Sequence, residues 1–288
     1  MIRPAHPWAA RARRRNRLLP ALCVVALAPW SGDASAKIDA IAMSLDELVA
    51  VRILATPKFA EDAEHSPSSV SIVTAAEIRS FGWRTLGDVL RSLQGFTVTD
   101  DHTYAYAGVR GISAPGDYRQ RFTVLIDGIT VNENIYASVP VDSAFPLDLD
   151  LVERIEVIRG PSASVYGGDS MFGVVNVISR SGASLGGGEA SVSGGSGRSG
   201  QGRLTWGGET AGGLDYLVSA SGLQAHGQTL AFPDLAGAGV DTNAARLRGE
   251  SGSRLFARLR TASWRATLIH GERDRIVPTG SFTTDFND

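Results

Sequence analysis

Leu151-Val152-Glu153-Arg154-Ile155-Glu156-Val157-Ile158-Arg159-Gly160-Pro161 is the stretch on which the reading of this 288-residue chain turns. Within it Arg154 to Ile158 reads as a strand, and Gly173 to Ser179 reads as a second one, rich in β-branched residues. Between them stands Ser164-Val165-Tyr166-Gly167-Gly168. Upstream, Asp127-Gly128 separates the apolar runs Phe122 to Ile126 and Ile129 to Val131, which predicts a two-residue hairpin with a left-handed turn. Further back, Ser69 to Thr74 alternates as a strand. Thr74 and Glu77 then have the spacing of a capping box opening a helix that Gly82 ends. Thr85 and Asp88 open a second helix, with Val89, Leu90 and Leu93 on one face and Gly95 at its end, and Phe96 to Thr99 continues as a strand. These elements make a small mixed α+β domain.

Composition changes near residue 182. Beyond it the chain is rich in Gly, Ser, Arg and Ala, and strands of about 8 to 11 residues are predicted at Glu189 to Ser196, Gly202 to Glu209, Leu214 to Gln224, Ser251 to Arg260 and Trp264 to Arg273. Tyr216, Val218 and Ala220 alternate with Leu217, Ser219 and Ser221. Leu255, Ala257 and Leu259 alternate with Arg254, Phe256, Arg258 and Arg260. Apolar positions suit lipid and arginines suit a wet lumen; a soluble β-sandwich with its arginines in solvent is the rival. Thr210 to Gly213 and Thr261 to Ser263 are short connectors while Ala225 to Gly249 is long, as periplasmic turns and extracellular loops differ in barrels.

Four motifs stand in order: Val109-Arg110-Gly111, Val124-Leu125-Ile126-Asp127-Gly128, the Leu151 to Pro161 stretch with its Ser164 to Gly168 continuation, and Gly173-Val174-Val175-Asn176-Val177-Ile178. Together they resemble the signature of the plug domain of TonB-dependent outer-membrane receptors, over roughly residues 44–288. The resemblance implies an α+β plug domain followed by antiparallel transmembrane β-barrel strands, here an incomplete 22-stranded barrel. It also implies uptake without catalysis, of a scarce solute such as an iron–siderophore complex, cobalamin or a sugar. The partners implied are TonB with its inner-membrane energising complex, the solute and outer-membrane lipid. No cofactor is implied. Expected divisions are a signal peptide over 1–36, a periplasmic segment over 37–56, the plug over 57–181 and the first barrel strands over 182–288.

The amino terminus supports the compartment. Arg11, Arg13, Arg14, Arg15 and Arg17 precede the apolar run Leu18 to Ala28, which is too short to span a bilayer, and Ala34-Ser35-Ala36 supplies small residues for cleavage before Lys37. Cleavage would also remove the lone Cys23. Losing residues 1–36 removes six arginines and one aspartate and moves the formal charge from −2 to −7. A mildly acidic chain lacks the basic face that nucleic acid requires. No apolar run of about 18 residues remains, so a bilayer could be crossed only by a closed barrel.

By position, Arg110 and Arg159 match the two plug arginines that pair with glutamates on the inner barrel wall in this family, with Glu153 and Glu156 as local alternatives. The outer loops Asp101 to Tyr106, Ile112 to Tyr118 and Asn132 to Tyr136 are expected to contact ligand, through Tyr104, Tyr106, Asp117, Tyr118, Asn132, Asn134 and Tyr136. Asp46, Glu47, Leu48, Val49, Ala50 and Val51 lie where the family keeps its TonB box and would add as a strand to a partner sheet. Ser44 to Glu47 reads equally as the capping box of a short helix. His65, His102, His226 and His270 lack metal-ligand spacing, so no metal site is expected. Gly168-Asp169-Ser170 resembles the nucleophile block of certain secreted serine hydrolases, a remote alternative without a nearby His. Five strands would leave a barrel open, and the chain ends on Asp288 rather than an aromatic residue. A partial record, or a non-functional truncated receptor, is therefore the nearer alternative.

Overall fold

The computed structural model describes residues 52–53, 61–62, 69–114, 116–160, 170–234 and 242–279. The expected signal peptide, the Asp46 to Val51 segment, His65 and the Ser164 to Gly168 motif lie outside the described residues.

In chain order, two short strands, β1 (Arg52–Ile53) and β2 (Glu61–Asp62), pair with each other. Strand β3 (Ser69–Thr74) runs into helix α1 (Ala75–Phe81), and α2 (Leu86–Ser92) follows. Both helices start at reciprocal capping boxes: Thr74 with Glu77, and Thr85 with Asp88. Each box gives partners to backbone N–H groups that the helix itself cannot satisfy. Gly82, with φ of 68°, closes α1 as expected, whereas α2 ends at Leu93 rather than Gly95.

Strands β4 (Phe96–Asp100) and β5 (Ala105–Val109) form a two-stranded sheet. Next come β6 (Thr123–Ile126), β7 (Ile129–Thr130), β8 (Val152–Arg159) and β9 (Gly173–Ser179). With β3 they build a five-stranded sheet of order β3-β8-β9-β6-β7. β8 is antiparallel to both its neighbours, and β6 is parallel to β9. The β6–β7 turn is the Asp127-Gly128 hairpin, with φ of 50° and 83° at the two residues. Every residue of β9 is buried, which is why this strand reads as a continuous apolar run rather than an alternation. Ile78, Leu86, Val89 and Leu90 of the helices join Phe122, Val124, Val157, Val175 and Val177 in one core.

After a single helical turn, α3 (Gly182–Leu185), the chain enters a second five-stranded sheet, an antiparallel meander. Its strands are β10 (Gly187–Gly195), β11 (Ser199–Glu209), β12 (Asp215–Ala225), β15 (Glu250–Arg260) and β16 (Arg265–Arg275). The five predicted strands match these with boundaries shifted by a few residues. Within the long connector the structure adds a hairpin, β13 (Gln228–Ala231) with β14 (Asn243–Leu247), that the pattern did not announce.

The meander has two chemically distinct faces. Outward, cross-strand register aligns Trp206, Val218, Ala257 and Leu268 in one row and Ala190, Leu204, Ala220 and Leu255 in the next. Val192 is 91% exposed, Leu204 68% and Leu268 56%, which no soluble sheet face would leave to water in rows. Inward, Arg203, Thr205, Leu217, Ser219, Ser221, Phe256 and Arg258 are buried against the α+β domain. An apolar outer band backed by a polar, filled interior is the arrangement of a membrane barrel wall, and it disfavours the sandwich reading.

Candidate functional site

The wall has two ends. Short turns at Thr210 to Leu214 and Thr261 to Trp264 lie at one, and the long 226–249 connector at the other. At the long-connector end Arg248 pairs with Asp100 at 3.1 Å and donates to His102 Nδ1 at 3.1 Å, while Arg275 donates to the Thr103 carbonyl at 3.1 Å. The turn between β4 and β5 is therefore the outer apex of the plug.

Three plug segments converge there. Asp101 closes the first: its carboxylate accepts the N–H groups of Thr103 and Tyr104 at 2.8 Å each and the Tyr106 hydroxyl at 2.7 Å. The Tyr118 ring, from the second segment, lies 6.0 Å from Tyr104 and 5.5 Å from Tyr106, both edge-on, and 5.3 Å from Tyr136 of the third. These centroid separations are those of favourable aromatic pairs. The four tyrosines line a cleft of about 250 Å³, together with Asp117 and Glu133. Thus Tyr104, Tyr106, Asp117, Tyr118 and Tyr136 are brought together. Tyr106 stands on β5 and is buried rather than looped out.

Asn132 and Asn134 are not part of the cleft lining. The Asn132 amide instead holds its own loop, accepting from Val124 N–H at 2.7 Å and donating to the carbonyls of Ala137 and Phe122. Asn134 is exposed on the loop surface. Glu133, not singled out from the sequence, takes the position expected of its neighbours. It accepts the N–H groups of Ile135 at 2.6 Å and Tyr136 at 2.7 Å, which sets the Tyr136 backbone. An acid two and three residues ahead of the N–H groups it caps was the available signal.

The carboxyl groups around the cleft are held ionised. For Asp117 the Arg121 guanidinium, 2.8 Å away, is the main cause of a lowered pKa. For Glu133 the Ile135 N–H, then those of Tyr136 and Ser138, lower it. For Asp101 burial pushes upward, but the Tyr104 N–H, the Tyr106 hydroxyl and the Thr103 N–H outweigh it. Burial and the adjacent Asp101 raise the Tyr106 phenol well above its ordinary value, so it stays a neutral donor.

Below the apex the plug is tied to the wall by ion pairs whose polarity is opposite to the one implied for Arg110 and Arg159. The wall supplies the arginines and the plug supplies most of the carboxylates. Arg258 reaches Asp127 at 3.2 Å, Asp215 of its own sheet at 3.3 Å, the Arg180 carbonyl at 2.8 Å and the Ser179 hydroxyl. Asp127 is fixed in turn by the Ser179 N–H and hydroxyl at 2.8 and 2.6 Å. Higher up, Arg203 meets Asp150 at 3.5 Å and Glu189 at 2.7 Å. Arg273 and Arg275 bracket Asp142 at 2.7 and 3.3 Å, and Arg254 donates to the Ser143 carbonyl.

Arg159 instead donates to the Gln94 carbonyl at 2.8 Å and the Ser71 hydroxyl at 2.7 Å, inside the plug. Arg110 is exposed, in a left-handed conformation, with its guanidinium 6.0 Å from the Phe172 ring centroid. Among the described residues neither forms an ion pair. Glu153 and Glu156 both pair with Arg154, at 2.6 and 3.0 Å.

Residues 62–174 match the family described as TonB-dependent Receptor Plug Domain. The chain carries a TonB-dependent receptor plug. The iron-regulated outer membrane virulence protein of Vibrio cholerae is 30% identical over 127 residues, which are 42% of this chain and 19% of that protein. Among solved structures, the FpvA receptor of P. aeruginosa bound to a heterologous pyoverdine–iron complex is similar with a TM-score of 0.57 and 17% identity, over 77% of this chain and 27% of FpvA. The ferric enterobactin receptor PfeA of Pseudomonas aeruginosa, in a mutant form with enterobactin, aligns with a TM-score of 0.55 and 21% identity, over 77% of this chain and 35% of that one.

This chain therefore spans about a fifth of the curated relative and about a third or less of these two receptors. The plug family and the outer membrane relative place the chain in the Gram-negative outer membrane. Ser170, the hydrolase alternative, is fully buried, where a nucleophile could not meet substrate. Among the described residues no group of His, Cys, Asp and Glu is arranged to hold a metal.

Proposed function

We propose that this plug and wall belong to a receptor that binds a scarce solute, such as an iron–siderophore complex, cobalamin or a sugar, at the outer apex and admits it with energy relayed through TonB. The observation carrying the reading is the tyrosine-lined cleft at the end of a plug held against the polar face of a lipid-facing wall. The rings of Tyr104, Tyr118 and Tyr136 suit a ligand that is partly polar and partly flat. An iron chelate heads the classes because the Vibrio cholerae relative is iron-regulated and the two similar receptors hold a pyoverdine–iron complex and enterobactin.

Asp46 to Val51 is the proposed docking strand, and the receptor of this reading needs no cofactor. Nothing in the matches favours the alternative of a non-functional truncated receptor. Deleting the gene in its own host and measuring uptake of labelled ferric chelates, cyanocobalamin and oligosaccharides tests the reading. Reduced uptake of one class is expected, and unchanged uptake of all three would sink it. Leu48→Pro in the docking strand should abolish energised uptake while leaving surface binding intact.

A further inference from the structure

We infer that the apex cleft selects its ligand by positive charge, taking a cationic ammonium or guanidinium group against the Tyr118 and Tyr136 rings. This deepens, and rests on, the reading of the cleft as the solute site. Tyrosine rings present a negative π face, which attracts cations and repels anions. The charged residues lining the cleft are Asp117, Glu133 and Asp142, all acidic, and Asp101 lies directly behind Tyr106.

The nearby cations are engaged elsewhere. Arg121 is held by Asp117, on which Arg119, outside the cleft lining, also acts; Arg273 and Arg275 are held by Asp142, and Arg248 by Asp100. Asp117 and Asp142 are thereby balanced. Asp101 and Glu133 are not: their partners among the described residues are N–H and O–H donors, which stabilise a carboxylate without cancelling its charge. Two uncompensated charges beside an aromatic cluster make the cleft a negative basin. Tyr106 cannot relieve it by accepting charge or by donating elsewhere, because its hydroxyl is committed to Asp101. A polyanionic chelate would meet repulsion from both the rings and the carboxylates; a chelate or saccharide bearing an amine would gain from both.

The test uses two probes of similar size and opposite charge, benzyltrimethylammonium and benzenesulfonate, on the purified full chain in uncharged detergent, with binding read by saturation-transfer NMR. The cation should bind about tenfold tighter than the anion, more weakly at high salt, and not at all to Tyr118→Ala. Glu133→Gln should narrow the gap between the probes. Because Glu133 also shapes its loop, Asp101→Asn supplies a second route to the same narrowing. Equal affinities, tighter anion binding or no binding of either probe would overturn the inference. Those outcomes with labelled-solute uptake intact leave the receptor reading standing, whereas loss of the uptake phenotype removes the reading itself.

Discussion

The plug is held together and held in place by different forces. Its interior is Val, Ile, Leu and Phe packed between two capped helices and a five-stranded sheet, attraction that has no direction and little response to salt. Its contact with the wall is dominated by guanidinium groups on carboxylates, hydroxyls and carbonyls, with Leu217 and Phe256 as the buried apolar wall residues that join the plug core. Directional, charge-assisted bonds have a defined geometry and can be exchanged for water or for other partners, whereas a greasy seam separates only by exposing its whole area. The difference teaches that the plug is a self-packed body fastened by discrete ties, so integrity and attachment can be altered separately.

Breaking the strongest tie should have the largest effect. Arg258→Ala leaves Asp127 and Asp215 buried without their cation, at about 3–5 kcal/mol of destabilisation in denaturant unfolding. It should also raise antibiotic leakage across the outer membrane, because the tie joins plug to wall. Leu90→Ala, inside the plug, should cost about 2–5 kcal/mol. If Leu90→Ala proves as salt-sensitive as Arg258→Ala, the division between the two regions fails.

Arg159→Ala removes two bonds internal to the plug and should cost about 1–3 kcal/mol with wall attachment unchanged. Leakage equal to that of Arg258→Ala would support a locking role for Arg159. The pH response comes next. Glu133, Asp117 and Asp101 have folded pKa values below their ordinary ones, so their contribution is complete above the unfolded value and lost as pH falls through the folded one. Apex order, followed by tyrosine fluorescence, should be flat from about pH 7 to 5 and decline below about pH 4. Smallest of all, Arg91→Ala breaks an exposed pair with Asp88 and should change stability by less than about 1 kcal/mol.

The wall strands were legible because each residue must face either lipid or lumen, and that constraint writes a two-residue period into Tyr216 to Ser221 and Leu255 to Arg260. The β13–β14 hairpin was not, since Gln228 to Ala231 is exposed throughout and carries no such period. Inward arginines could be seen, but not their partners: Arg258 and Asp127 are 131 residues apart, and nothing local to either names the other. Tyr104, Tyr118 and Tyr136, on three loops, could be gathered by motif order, whereas the place of Tyr106 inside β5 could not. Glu133 was missed because its one signal, an acid two and three residues ahead of N–H groups it can cap, is common to many loop acids and names no ligand.

Between Ser179, the last residue of β9, and Gly187, the first of β10, the chain has seven residues, four of them coiled in α3. Gly182 lies so close to the wall that a Cβ there would fall 1.9 Å from the Tyr216 carbonyl oxygen, and the Ala183 N–H is held by Asp215 at 2.9 Å. Even fully stretched, such a leash reaches about 25 Å. The plug is thus moored at its carboxyl end like a door on a pin. A plug so moored has its greatest freedom at the opposite, amino-terminal side, and a longer leash between Arg180 and Gly186 would turn a hinge into a tether.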